Sequence, residues 1–126
     1  MDKNNLTMEE RKYLEDWVAQ MEAVEMAQVQ DLIKNCNISF QFAKTHSVYL
    51  KDWEKTKKQM ENSLKSGVLP PDVSANLFQA VIKASDEIIE KKLKKVRDAF
   101  QTKFGESIFY YIGLDGKTKK LFGIFG

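Results

Sequence analysis

Three stretches of the chain repeat apolar residues at three- and four-residue steps, and a fourth stretch at the carboxyl end follows a different rhythm. From Leu14 the positions Trp17, Val18, Met21, Val24, Val29, Leu32 and Cys36 form one stripe, the spacing of an amphipathic helix. Thr7 followed by Glu10 fits a capping box at its start, and Glu9 and Glu10 suit the positive end of the helix dipole. Asn35 and Asn37 mark its end. A second helix is expected from near Ser39 to Gly67, with Phe42, His46, Tyr49, Leu50, Trp53, Met60 and Leu64 on its apolar side. Its start is ambiguous, because Ile38-Ser39-Phe40-Gln41-Phe42 alternates as a strand would. Pro70-Pro71 interrupts the helix, and Asp72 or Ser74 can cap a third one running from about residue 72 to about residue 104. One row on this helix reads Phe78, Ile82, Ser85, Ile89, Leu93, Val96, Phe100 and Phe104. A second row, Leu77, Val81, Ala84 and Ile88, stops halfway, where Lys91, Lys92 and Lys95 take over. The helices are therefore expected to form a bundle that tapers.

Gly105 ends the helical pattern. Residues 107–112 and 121–125 are rich in aromatic and β-branched side chains, and Asp115-Gly116 between them is a strong two-residue turn signal. The pattern predicts a β-hairpin over residues 107–125. The expected fold is mainly α: three long antiparallel helices with a C-terminal β-hairpin. One domain spans residues 1–126, with residues 1–6 as a flexible N-terminus and residues 7–104 as the helical array. A hairpin alone is marginal in water, and this one would carry apolar residues on both faces. It can complete the core, pair with a second copy, or add to the edge of a partner's sheet.

Composition changes this picture little, and charge changes it more. At 126 residues with 43% hydrophobic and 30% charged side chains, the chain reads as one folded domain. One cysteine cannot form an internal disulfide, the polar start lacks a secretory apolar stretch, and no apolar run approaches the ~20 residues of a membrane span. A cytoplasmic location is the expectation. The net charge is only +2, but residues 1–36 hold four basic and eight acidic side chains while the remainder is mildly basic. That asymmetry favours self-association, and a homodimer is expected.

Catalytic and metal chemistry find few candidates. A single His and a single Cys rule out zinc fingers, His-rich sites and iron–sulfur clusters. No glycine-rich phosphate loop and no nucleophile elbow occurs, so neither a cofactor nor an enzymatic activity is expected. His46 sits on an apolar face and reads as a packed histidine satisfied by a hydrogen bond; a Cys36–His46 dyad would need a third group to orient it.

Two clusters stand out. Glu25 falls in the middle of the first helix's apolar stripe with Gln28 beside it. It either reaches water at an edge or joins a polar layer with Lys57 of the second helix or of its copy in a dimer. Lys91, Lys92, Lys94, Lys95 and Arg97 form a basic run that is either a solvated face, with Glu87–Lys91 and Glu90–Lys94 as i,i+4 pairs, or a patch shared with Lys55, Lys57, Lys58, Lys117, Lys119 and Lys120. Trp17 and Trp53 read as core anchors. The function expected is a non-enzymatic protein-binding module: an adaptor, assembly chaperone or inhibitor. Its expected contacts are Phe109, Tyr111, Phe122 and Phe125 with Lys92, Lys95, Lys119 and Lys120. The alternative is nucleic-acid binding through the lysines of the third helix and hairpin. A third reading is an amphipathic coat on lipid. No motif names a family.

Overall fold

The computed structural model describes residues 6–111. Three helices account for most of them: α1 (Met8–Asn35), α2 (Ser39–Ser66) and α3 (Ala75–Phe104). Their ends sit where local hydrogen-bond chemistry puts them. The Thr7 hydroxyl accepts from the Glu10 amide and the Glu10 carboxylate accepts from the Thr7 amide, a complete capping box. Gly67 and Gly105 close α2 and α3 with φ of 75° and 71°, a left-handed conformation that glycine adopts without steric cost. Asp72 also takes a positive φ, 63°, in the turn after Pro70-Pro71, and Ser74 rather than Asp72 caps α3 by accepting from the Leu77 amide.

Consecutive helices run antiparallel, so α1 and α3 lie parallel with their starts together. The Ser74 hydroxyl at the start of α3 donates to the Glu10 carboxylate at the start of α1. At the far end, Lys103 donates to the Ile33 carbonyl and to Asn37. Ser74 thus caps its own helix and ties it to α1. Ser74→Ala is expected to lower stability by about 1 kcal/mol, the usual cost of a lost N-cap, read as a shift of the urea midpoint.

α3 is the spine. Both α1 and α2 lean on it, and they barely touch each other. The core falls into two clusters. One, near the α1–α2 turn, joins Val29, Leu32, Cys36, Phe42, Ala43, Val96, Phe100 and Ile108. Phe42 packs edge-on against Phe100 and Phe104 there, at ring distances of 5.3 and 5.7 Å. The other joins Leu6, Leu14, Leu77, Ala80 and Val81, flanked by Trp17 and Met60. Leu6 is buried in this cluster.

The expected C-terminal β-hairpin is corrected. No β-strand occurs among the described residues, and the segment that would begin the first strand is a 3-10 turn, Ile108–Tyr110. Ser107 caps it by accepting from the Phe109 amide. Ile108 is 2% exposed in the first cluster, and Tyr111, three residues on, packs its ring 5.6 Å from Phe100. A period of three brings both onto one side, which an alternating strand cannot do. Residues 112–125 of the expected hairpin lie outside the described residues.

Candidate functional site

Because α1 and α2 splay apart over α3, the space between them is an open cleft of about 350 Å3. Such volumes lie in the range of roughly 300–1,000 Å3 typical of ligand sites. From α1 the lining is Trp17, Gln20, Met21, Val24, Glu25 and Gln28; from α2 it is Tyr49, Asp52, Trp53 and Thr56. The residues from α1 span eleven helical steps, about 16 Å or three turns. Val24 is 56% exposed, an unusually open position for an apolar residue in the stripe.

A hydrogen-bonded chain anchors one wall. Trp17 Nε1 donates to Ser85 Oγ at 2.9 Å, and Ser85 Oγ donates to the Val81 carbonyl at 2.7 Å. The indole nitrogen is thereby tied to α3 while Trp17 lines the cleft. Trp17 and Trp53, expected as core anchors, are only half-buried, and both line the opening.

A polar belt lies between the two apolar clusters. Lys92, 3% exposed, reaches from α3 to Glu25 Oε1 at 3.4 Å and donates to Gln28 Oε1, and its ammonium lies 5.0 Å from the Tyr49 ring centre. Burial pushes the Lys92 amine below its usual value, and the Glu25 carboxylate opposes that shift. Glu25 is 9% exposed. The expected polar layer therefore exists, with a corrected partner: Lys57 pairs instead with Asp86 of α3 at 2.7 Å, near the surface. The basic run is corrected as well, because Lys92 leaves the surface that Lys91, Lys94 and Lys95 share. Lys95 is exposed, its ammonium 3.6 Å from Met26 Sδ.

Sequence reasoning missed Lys92 as the partner, although the signal was present. Lys92 follows Ile89 by three residues and precedes Val96 by four, a core position interrupted by a charge. A lysine there must find a buried anion, and on a parallel neighbour the middle of the α1 stripe is where Glu25 stands.

His46 belongs to the same belt. It is 2% exposed, and burial, with the nearby Lys92 charge, lowers its pKa from 6.5 to about 4. It is packed, as expected, but its Nδ1 has no hydrogen-bond partner among the described residues, and the same holds for Ser47 Oγ. Cys36 Sγ lies 3.9 Å from Thr45 Oγ1, and no hydrogen bond joins Cys36 to the His46 Nδ1. Among the described residues no group of three His, Cys, Asp or Glu could hold a metal, and no helix is long and apolar enough to cross a membrane.

The other expected contact residues are not brought together at the cleft. Phe109 and Tyr111 pack against the core cluster near the α1–α2 turn, with Arg97 5.9 Å from the Phe109 ring centre. The Tyr111 hydroxyl bonds with Ser39 at 2.8 Å and with Glu106. Phe122, Phe125, Lys119 and Lys120 lie outside the described residues. Fold and site together define a three-helix bundle that carries an aromatic-lined cleft above a buried ion pair. No family model, curated protein or solved structure matches the chain.

Proposed function

We propose that this protein is a non-enzymatic binding module, of the adaptor, assembly-chaperone or inhibitor kind, that takes an amphipathic helix of a partner protein into the cleft between α1 and α2. One observation carries the reading: two long helices rest on a third and meet each other only near the turn that joins them, which leaves Trp17, Met21, Val24, Tyr49 and Trp53 around a trough about three turns long. A trough flanked by antiparallel helices over a third is the space a fourth helix fills in a bundle. Recognition of an amphipathic helix by such a groove uses apolar anchors at i, i+3, i+4 and i+7. Aromatic side chains supply large contact area at low entropic cost.

A site-specific photo-cross-linker tests the proposal in the native host cell. Placed at Val24 or Thr56, it is expected to trap a discrete partner protein. Placed at the exposed Lys83 of α3, outside the cleft lining, it is expected not to. Equal trapping from both positions, or none from either, would refute the assignment.

A further inference from the structure

The cleft is electrostatically one-sided. Its lining includes two carboxylates, Glu25 and Asp52, and no lysine or arginine. Glu25 already has its counter-ion in Lys92 at 3.4 Å. Lys57, on the same helix as Asp52, is held by Asp86. Asp52 is exposed and has no ion pair among the described residues. Asp31, one turn beyond Gln28 on α1, is also exposed; its carboxylate accepts from Asn35 Nδ2 and from the Tyr49 hydroxyl at 3.4 Å, and it has no ion pair among the described residues. Tyr49 lies one turn before Asp52 on α2. Asp52 on the lining and Asp31 just beyond it therefore flank the same tyrosine at the end of the cleft nearest the α1–α2 turn, neither of them in an ion pair among the described residues.

We infer, resting on the helix-docking reading above, that the partner helix is basic: it lays apolar anchors between Trp17 and Trp53 and sets lysine or arginine against Asp31 and Asp52. Register follows from the walls. The apolar anchors occupy the stretch between Trp17 and Val24, and the cationic residues come one to two turns further along, where the carboxylates flank Tyr49. A neutral helix would leave both carboxylates uncompensated, and an acidic one would be repelled by both, so the pair discriminates among helices of equal hydrophobicity.

The protein carries its own reporter, because its two tryptophans are Trp17 and Trp53 and both line the cleft. Three 18-residue amphipathic peptides without aromatic residues serve as probes: Leu on one face and Lys, Gln or Glu on the other. Tryptophan emission of the full chain is titrated with each. The Lys peptide is expected to bind about tenfold more tightly than the Gln peptide, about threefold from each exposed carboxylate, and the Glu peptide most weakly. Added salt should shrink that margin. Asp31→Asn with Asp52→Asn should erase the preference for Lys over Gln.

Equal binding of the Lys and Gln peptides, or a preference that survives in the double variant, would overturn the basic-helix inference and leave helix docking standing. No change in emission with any peptide would overturn both. A shift in emission on simple dilution, without peptide, would show a second copy already seated in the cleft and would also overturn both.

Discussion

Glu25→Leu is expected to destabilise the bundle by roughly 3–5 kcal/mol, the usual cost of breaking a buried ion pair from one side. The reason is the ammonium left behind. Lys92 is 3% exposed, and its anionic partner is the Glu25 carboxylate. Lys92→Met is expected to cost less, because the Glu25 side chain is 12% exposed and borders the cleft, where water can solvate it. The double variant Glu25→Leu/Lys92→Met should lie near the parent, since two apolar groups of similar volume need no counter-charge. Urea unfolding of the four proteins gives the double-mutant cycle. A larger loss in Lys92→Met than in Glu25→Leu would contradict the assignment of Lys92 as the more deeply desolvated partner. The loss in Glu25→Leu also has a pH signature. Desolvation already lowers the Lys92 pKa from 10.5, and removing Glu25 removes the influences that oppose it. Between the lowered native value and 10.5 the unfolded chain binds more protons than the native one. Stability of this variant should therefore rise with pH through that window.

The second large effect is acid sensitivity well above the carboxylate range. His46 titrates near 6.5 when unfolded and near 4 when folded, so between those values the unfolded chain takes up the proton first. Stability is then lost as pH falls from 6.5 towards 4, by about 3 kcal/mol over the whole window and about 2 kcal/mol by pH 5. The chain has one histidine, which lets the slope between pH 7 and 5 be assigned to it. Charging His46 would put a second cation beside Lys92, in a belt whose single buried anion among the described residues is Glu25. His46→Leu is expected to flatten stability over pH 5–7. It should also match or exceed the parent at pH 7, because the unpartnered Nδ1 disappears. An unchanged pH slope in His46→Leu would exclude His46 as the source.

Both predictions concern a belt that was half legible beforehand. Glu25 and Gln28 announced themselves as polar residues inside an apolar stripe. Lys57 looked like their partner only because it also falls on an apolar arc, and a helical wheel carries no information about which helix lies against which. The parallel α1–α3 pairing answers that question, and it answers it in favour of Lys92. The cleft was hidden for a related reason. Trp17, Val24, Tyr49 and Trp53 each read as ordinary core residues on their own helix. They become an opening only because α1 and α2 both lean on α3 and meet each other only near their connecting turn. The C-terminal ribbon went wrong by a different route. Ile108 to Tyr111 has the composition of a strand, yet Ser107 caps a tight turn and Phe100 offers Tyr111 a ring to pack on. Long-range packing overrode local propensity.

Local chemistry determined a good deal by itself. Capping at Thr7, Glu10 and Ser74, the left-handed stops at Gly67 and Gly105, and the break at Pro70-Pro71 all depend on neighbours within about four residues. They can be read in order along the chain for that reason. Which helices touch, which lysine neutralises Glu25, and where an apolar surface is left uncovered are decided by contacts some 64 to 70 residues apart. Burial is a property of the assembled helices, and the charge at position 92 acquired its partner only when α3 came to lie parallel to α1.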